Sequence, residues 1–271
     1  MLRSLVLTFC LVSAACPAKD NPIPTNPGGG GGGGVGGDGD GDGDGDGDSY
    51  TGDLCSIFDF RNPTLCENPG VFLDFSDLDI QQRGSAVTSD VSANGNFSVL
   101  VGDTAAPHTL IVSGPTFRTS VYVTSDMELE IPTAPIVTTS RWEQFESLNA
   151  QPSDANAAAV MIYLSREGLP LENAQVTGPA GMFTMTYYEL NDPVVWTVGG
   201  LTGPMGAAAI FNIPAVGINP TADFQLSGPA GDVNVALEDV PIVAGGTTFV
   251  FFDLPPPANL TNVFHLQKWT N

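Results

Sequence analysis

The sequence predicts an all-β fold, with two antiparallel β-sandwich modules behind a disordered Gly/Asp-rich tether. Apolar and polar residues alternate with a period of two in many short runs after residue 54, as they do in half-buried strands. Gly-Pro and Asn-Gly turn signals separate these runs at short intervals, which is typical of sandwiches. The stretch before the first run carries almost no large apolar side chain, so it cannot form a core.

The N-terminus has the features of an export signal, which we assign to residues 1–15. Arg3 precedes an apolar stretch, residues 5–12, that suits a signal peptide and is too short to cross a bilayer. The small residues that follow and Cys16 resemble the lipobox of bacterial lipoproteins, although Ser13 stands where that family usually has Leu. The resemblance implies that Cys16 is acylated, with palmitate among the fatty acids, and begins the exported protein.

The same segment also fits an ordinary export signal that is cut within residues 14–18. Under either interpretation the protein is exported, and no later segment of the sequence is apolar enough to cross a membrane. Pro17 follows the cysteine where an aspartate would signal inner-membrane retention in some Gram-negative bacteria. The resemblance therefore implies the cell outer membrane or the cell surface as the location.

Two further cysteines, Cys55 and Cys66, remain once Cys10 of the signal and Cys16 are set aside. In an oxidising compartment, two spare thiols this close in sequence most simply form a disulfide. A metal pair is one alternative, but no histidine lies nearby, and a redox pair is the other, but the spacing is not C-x-x-C. We therefore predict a disulfide that closes a short loop.

The predicted tether covers residues 16–53 and contains the run DGDGDGDGDGDSYTGD. Glycine makes such a chain flexible, and aspartates at every second position repel one another and extend it. A calcium loop is the alternative, because an EF-hand places oxygen ligands at positions 1, 3, 5 and 12. Those positions fall on Asp42, Asp44, Asp46 and Asp53. Any Asp-Gly repeat meets the first requirements automatically, so we interpret the run as a tether with at most weak Ca²⁺ binding.

The first module is predicted at residues 54–135. Phe97 and Val99 alternate with polar neighbours after an Asn-Gly turn, and Val121 and Val123 do so further along. Three carboxylates within a short segment of this module are a second candidate for calcium, because calcium prefers hard oxygen ligands. They are Asp74, Asp77 and Asp79. A solvated turn is the alternative interpretation of this segment.

One helix is predicted in the connector, residues 136–156. Ser140 and Glu143 have the spacing of a capping box, in which each side chain accepts a hydrogen bond from the other's backbone N–H. Trp142 and Phe145 are three residues apart and therefore share one face of the helix. We expect that face to pack against a sheet.

The second module is predicted at residues 157–257, with a tail at 258–271. The segments AAVMIYLSREGLPLENAQVT and TGPMGAAAIFNIPAVG are similar to the carboxypeptidase-regulatory-like domain. The matching residues are Gly168, Pro170, Leu171, Ala174, Val176, Thr202, Gly206 and Pro214. The resemblance implies a seven-stranded Ig/prealbumin-like sandwich, a non-catalytic module that bacteria often place on surface proteins. Residues 249–252 are apolar on both faces, which predicts a central or doubly covered strand.

We expect no enzymatic activity. A zinc carboxypeptidase needs an H-x-x-E pair, and His108 is followed three residues later by Ile111. We interpret His108 and His265 as ordinary loop or surface residues, and no G-x-S-x-G elbow occurs. Glu128 and Glu130 share a strand face, which we interpret as the solvent face. A hydrolase whose site forms only in three dimensions is the alternative.

The charge of the chain narrows the possible partners. A formal net charge of -22 with only eight Lys and Arg residues argues against nucleic acid and against anionic membrane surfaces, so membrane attachment requires the lipid. We therefore predict a lipid-anchored envelope protein for adhesion, scaffolding or binding of an extracellular protein or carbohydrate. The alternative is a calcium-dependent carbohydrate- or protein-binding module, and apart from weakly bound Ca²⁺ we expect no cofactor.

Overall fold

The computed structural model describes residues 49–66, 73–100, 108–124, 131–149, 151, 154–179, 185–190 and 192–257. Within these residues the chain is built mainly of strands, which confirms the all-β prediction. None of the described helices is long and apolar enough to cross a membrane. The export signal, Cys16, most of the tether and the tail lie outside the described residues, so the lipid anchor stays a prediction.

The secondary-structure elements are named here in chain order. The strands are β1 (Ser49–Ser56), β2 (Asp79–Gln82), β3 (Thr88–Asp90), β4 (Asn96–Leu100), β5 (His108–Gly114), β6 (Phe117–Thr124), β7 (Ile131–Ile136), β8 (Ala157–Arg166), β9 (Leu169–Pro170), β10 (Gln175–Thr177), β11 (Met185–Tyr188), β12 (Thr197–Val198), β13 (Ala207–Pro214), β14 (Thr221–Ser227), β15 (Asn234–Pro241) and β16 (Thr247–Asp253). The α-helix, α1, spans Thr139–Leu148, and a short 3₁₀ turn spans Pro229–Gly231.

A long mixed sheet runs through the middle of the fold. Its strand order is β12-β11-β13-β8-β16-β6-β5-β2-β3, with β9 paired to β8. Two smaller sheets, β4-β1-β7 and β10-β14-β15, lie apart from it. The pairs β16–β8, β16–β6 and β1–β7 are parallel, which the prediction of antiparallel sheets did not include. A central strand with parallel neighbours has to be covered on both faces. Both faces of the middle of this sheet are covered.

Strand β8 shows how the layers are built. Its first eight residues are buried, and their side chains point alternately to two hydrophobic cores. On one face Met161 and Tyr163 pack with residues of β1, β4 and β7 and with the helix residues Trp142 and Phe145. On the other face Val160, Ile162 and Leu164 pack with residues of β10, β14 and β15. The central sheet is therefore the middle of three layers.

The two predicted modules contribute strands to the same sheet. Strand β6 lies in the predicted first module, 54–135, and it pairs with β16 of the predicted second module, 157–257. The described residues belong to one compact unit. The module boundaries stay a prediction, but the two halves are hydrogen-bonded to each other through their strands.

Two local predictions differ from the structure. The composition predicts a tether that extends to Asp53, whereas β1 already begins at Ser49, because Tyr50 is buried and the segment pairs with β4. The capping box predicts a helix that starts from Ser140, whereas the N-cap is Thr138, whose hydroxyl accepts from the backbone N–H of Arg141 at 3.3 Å. Threonine is itself a good N-cap residue, so the helix gains two residues at its start.

The motif residues of the second module have structural roles. Gly168 has φ +75° at the turn between β8 and β9, where a residue with a side chain would be strained. Gly206 has φ +70°, and a Cβ there would overlap the carbonyl oxygen of Leu164. The hydroxyl of Thr202 donates to the carbonyl of Leu171 at 2.6 Å and accepts from the N–H of Ala174 at 2.9 Å. These residues hold loops onto the sheet.

The predicted disulfide is confirmed. Cys55 in β1 is bonded to Cys66, with 5.1 Å between their Cα atoms and a sequence separation of 11. The bridge holds the loop after β1 against the sheet, where Ile57 forms an isolated backbone bridge to Cys66.

We predict that the double variant Cys55→Ser/Cys66→Ser loses about 3 kcal/mol of unfolding free energy, because the open loop gains entropy in the unfolded chain. Urea denaturation of the full chain measures this loss. A reducing agent should lower the unfolding free energy of the wild type by a similar amount and leave that of the double variant unchanged. Equal unfolding free energies for wild type and variant would contradict the prediction.

Candidate functional site

The central sheet opens next to β16. Strands β6 and β16 pair over three residues, Thr247 with Ser120 through to Phe249 with Tyr122. Strand β8 continues to pair with β16 as far as Asp253. In the described part of the chain β6 and β16 therefore separate after Phe249. The opening, which we call the β6/β16 cleft, is lined by Val123 of β6, residues 237–241 of β15 and residues 249–251 of β16.

The backbone of β16 presents hydrogen-bonding groups to this cleft. On the β8 side, the N–H of Ala159 donates to the carbonyl of Gly246 at 3.0 Å, and the N–H of Leu254 donates to the carbonyl of Ser165 at 2.8 Å. Backbone groups of successive strand residues point to alternate sides, so Phe251 and Asp253 point theirs away from β8. No strand of the described residues pairs with them there. Within the described residues, this side of β16 is an open strand edge.

Phe251 is an exposed aromatic residue at the edge of the cleft, and its ring lies on the sheet face of Tyr163, opposite the face that β15 covers. Its side chain is 52% exposed although it lies on a central strand. One face of its ring stacks on Tyr163, with 5.2 Å between the ring centroids and 14° between their planes. Tyr163 is buried, and its hydroxyl donates to the carbonyl of Phe60 at 3.0 Å. The stack fixes the orientation of the Phe251 ring and leaves its other face to solvent.

The buried hydroxyl of Tyr163 stays protonated. Burial raises its pKa well above the usual value for tyrosine, and the nearby carboxylates of Asp59 and Glu189 raise the pKa further. The raised pKa favours the protonated hydroxyl that donates to Phe60.

An acidic rim borders the cleft on the β15 side. Glu238 and Asp239 are exposed and sit at a bulge, where the pairing of β15 with β14 shifts register. Asp239 has φ 57°, and its backbone N–H donates to a carboxylate oxygen of Asp223 at 2.9 Å. The bulge therefore brings two exposed carboxylates to the edge of the cleft, and the carboxylate of Asp223 lies beside them. None of the described lining residues is basic.

The described lining of the cleft contains no serine, cysteine, histidine or lysine, and its charged side chains are the carboxylates of Glu238 and Asp239. It combines an apolar floor, one exposed aromatic ring, hydrogen-bonding backbone groups and exposed carboxylates. That combination is typical of a ligand site.

Arg118, a largely buried arginine that the sequence reasoning missed, holds the start of β16, next to the cleft. Arg118 of β6 donates to the hydroxyl of Thr247 at 2.7 Å and to the carbonyl of Gly246 at 3.1 Å. Its guanidinium lies 4.4 Å from the ring centroid of Trp142, and 3.9 Å separates it from Glu146. Burial lowers the pKa of Arg118 to about 10, and the charge of Glu146 opposes that shift. These contacts join β6, α1 and the start of β16.

The predicted calcium residues are dispersed or lie outside the structure. Asp42, Asp44 and Asp46 are outside the described residues, and Asp53 lies in β1, where its carboxylate accepts from the side chain of Asn96. Among the described residues, no group of three His, Cys, Asp or Glu side chains is placed to hold a metal ion. The calcium interpretation of the Asp-Gly run stays a prediction.

The second predicted cluster forms turn and strand contacts. Asp74 accepts from the backbone N–H of Ser76 at 2.9 Å, and hydrogen bonds from Ser76 lower the pKa of that carboxyl. Asp79 begins β2, opposite Asp90 of β3 and Ser113 of β5. Asp77 lies in the turn between them, next to Gly114. The calcium interpretation of Asp74, Asp77 and Asp79 also stays a prediction.

The expectation that His108 is a loop or surface residue is wrong. His108 is buried at the start of β5, and its Nδ1 lies 2.9 Å from the side-chain nitrogen of Gln82. The ring of Tyr50 packs edge-on against it at 5.5 Å. His108 thus occupies a core position on the β5 strand. His265, Glu128 and Glu130 lie outside the described residues.

Glu189 is a buried carboxylate at the end of β11. Its two oxygens accept from the backbone N–H groups of Met205 at 2.8 Å and Ala207 at 3.0 Å. Burial raises the pKa of Glu189, and the backbone hydrogen bonds partly oppose this shift. A Cβ at Gly203 would clash with the carbonyl oxygen of Glu189. Glu189 therefore organises the loop before β13, away from the cleft.

Comparison with known proteins gives distant structural similarity. No protein family and no curated protein matches the sequence. A candidate adhesin from Bacteroides ovatus is similar over 75% of this chain and 86% of its own, at 8% identity and a TM-score of 0.21. A family 26 carbohydrate-binding module from Eubacterium rectale Amy13K, solved with maltoheptaose, covers 75% and 90%, at 11% identity and 0.22. A DUF3823 family protein from Bacteroides ovatus covers 71% and 96%, at 11% identity and 0.20.

We predict that Glu189 makes stability fall as the pH rises. A carboxyl whose folded pKa is raised contributes its full stability below its unfolded value, 4.5, and loses it as the pH rises through the folded pKa. Between about pH 4 and pH 7, the wild type should therefore lose unfolding free energy relative to Glu189→Gln. Urea denaturation across this range measures the difference, with the exposed Glu172→Gln as control. A difference that does not change with pH would contradict the prediction.

Proposed function

We propose that this protein is a non-enzymatic, lipid-anchored protein of the cell envelope that binds an extracellular ligand in the β6/β16 cleft. The observation that carries the proposal is the exposed ring of Phe251. Leaving a phenylalanine half exposed on a central strand forfeits part of its burial free energy, about 25 cal/mol for each Å² of apolar surface. A ligand that covers the ring recovers that free energy.

The surroundings of Phe251 support a binding role. The ring is held by its stack on Tyr163, so little conformational entropy is lost when a ligand packs on the free face. The carboxylates of Glu238 and Asp239 accept hydrogen bonds from hydroxyl or ammonium groups. Both an extracellular protein and a carbohydrate offer such groups. The similarity of residues 157–257 to the carboxypeptidase-regulatory-like domain also favours a non-catalytic surface module.

The N-terminal segment supports an anchored location. The formal net charge of -22 repels anionic lipid headgroups, so attachment to a membrane would depend on acyl chains at Cys16. The Gly/Asp-rich tether would then hold the β-sandwich layers away from the outer membrane. A ligand in the medium or on a neighbouring cell could reach the cleft in that arrangement.

We predict that Phe251→Ala weakens binding of the ligand about tenfold, because it removes the ring that the ligand covers. The full chain is screened on arrays of glycans and of unstructured peptides, and the hits are titrated by calorimetry. Phe58→Ala removes another partly exposed phenylalanine outside the cleft and serves as the matched control. Hits that bind Phe251→Ala as tightly as wild type would place the ligand elsewhere and refute the proposal.

We predict that Cys16→Ser moves the protein from the membrane fraction to the soluble fraction, because the serine cannot carry the thioether-linked lipid. Fractionation of expressing cells and mass spectrometry of the mature N-terminus measure the change. Cys10→Ser, within the predicted signal, is the control and should leave the fractionation unchanged. Retention of Cys16→Ser in the membrane fraction would show that the anchor is not at this cysteine.

A further inference from the structure

We propose that the ligand of the β6/β16 cleft is an extended peptide segment rich in arginine or lysine, which adds as a strand to the open edge of β16. This inference rests on the proposed function and names its ligand class. It follows from three features of the cleft, which are the direction of the β16 backbone groups, the exposed ring and the acidic rim.

The direction of the β16 backbone groups favours a ligand with repeating amide groups. Phe251 and Asp253 direct their N–H and C=O groups into the cleft, whereas Val250, Phe252 and Leu254 direct theirs to β8. An extended peptide satisfies both residues with the regular pattern of a strand pair, as in β-strand addition. A carbohydrate has hydroxyl groups but no repeating N–H and C=O pairs at the spacing of a strand.

The side chains around the edge of β16 favour a positively charged ligand. Glu238 and Asp239 stand on the rim, and no described lining residue would repel a cation. The free face of the Phe251 ring can receive a guanidinium group, whose attraction to an aromatic face is strongest for a planar, weakly hydrated cation. Successive side chains of an extended peptide point to opposite faces, so an arginine on one face can contact the ring while a basic side chain on the other face faces the β15 carboxylates.

The charge of the whole chain acts in the same direction. A net charge of -22 attracts basic partners and accelerates their association, whereas it repels acidic segments, including second copies of this chain. Peptide addition to the edge from another copy of the same protein is therefore disfavoured. The partner that fits the charge is a basic segment of a different protein.

Fluorescence anisotropy tests the proposal with a labelled peptide of alternating arginine and valine and the full chain. The Asp-Gly run could bind any cation, so the matched control is the same peptide with N-methyl groups at alternate residues, which keeps the charge and blocks strand pairing. We expect the N-methylated peptide to bind at least about tenfold more weakly. A peptide with glutamate in place of arginine should not bind. Equal binding of the methylated and unmethylated peptides would overturn the proposal.

Site variants locate the peptide. Glu238→Gln/Asp239→Asn removes two charges at the rim and should weaken binding about tenfold, more so at low salt. Glu143→Gln/Glu172→Gln removes two exposed charges elsewhere and should bind as the wild type does. Folding is checked by the urea midpoint, which neither variant should shift much. If both double variants weaken binding equally, the effect is one of net charge and the rim assignment is wrong.

Amide hydrogen exchange by NMR gives a readout specific to the edge. In the free protein the amides of Phe251 and Asp253 should exchange faster than those of Val250 and Phe252, which point to β8. The arginine-valine peptide should slow exchange at Phe251 and Asp253 and leave the other two unchanged. Slow exchange at Phe251 and Asp253 without peptide would mean that the edge is already paired, which overturns the inference.

A parallel titration with soluble glucans separates this inference from the proposed function. If a glucan rather than the peptide perturbs the Phe251 signals, the cleft is a ligand site and the peptide assignment is wrong. If Phe251 responds neither to the peptide nor to any hit from the glycan and peptide arrays, both the inference and the proposed function fail.

Discussion

The fold depends on β16 lying between β8 and β6. This strand is parallel to both neighbours, and it joins strands that are far apart in the sequence into one sheet. A parallel strand in the middle of a sheet needs a hydrophobic layer on each face. The three-layer arrangement, with one core on each side of β8, follows from that requirement. If β16 were absent, the β8 side of the sheet would lose its connection to β6.

The same strand explains why a cleft forms. The pairing of β16 with β8 lasts for seven residues and its pairing with β6 for three. Among the described strands, the last residues of β16 therefore have one neighbour where the first have two. Arg118 is well placed to hold the paired portion, because it bonds to Thr247 and Gly246 at the start of β16. The sheet is thus fastened at one end of β16 and open at the other. Under the proposed function, the paired half of β16 contributes stability and the other half contacts the ligand.

Much of the fold could be predicted because local patterns report burial. The alternation at Phe97 and Val99, the helix face of Trp142 and Phe145, and the cysteine spacing each depend on neighbouring residues only. The continuous apolar run at 249–252 correctly indicated a central strand. This run could not show that the pairing of β16 with β6 ends after Phe249, because the end of that pairing depends on β6. A pattern of side chains also cannot identify the partner strand.

Most of the candidate site could not be predicted from the sequence for the same reason. Its parts come from β6, β15 and β16, and only the topology brings them together. Arg118 reads as an ordinary polar residue within an alternating strand, and its burial follows from Trp142 and Glu146 of the helix. His108 also reads as polar, yet it is buried beside Tyr50 of β1. The sequence did contain one signal, the run that is apolar on both faces. A residue in such a strand becomes exposed where the neighbouring strand ends first.

An open strand edge is a hazard for any protein, because it can pair with another copy and aggregate. Natural sheets protect such edges with charged side chains, and here Glu238 and Asp239 stand beside the open side of β16. At the net charge of this chain, the same carboxylates that repel a second copy attract a basic segment. Under the proposed peptide binding, the same two residues would protect the edge against self-association and select the partner. This explains how the edge can stay open in the described fold, since it needs no cover if only a cationic strand can approach it closely.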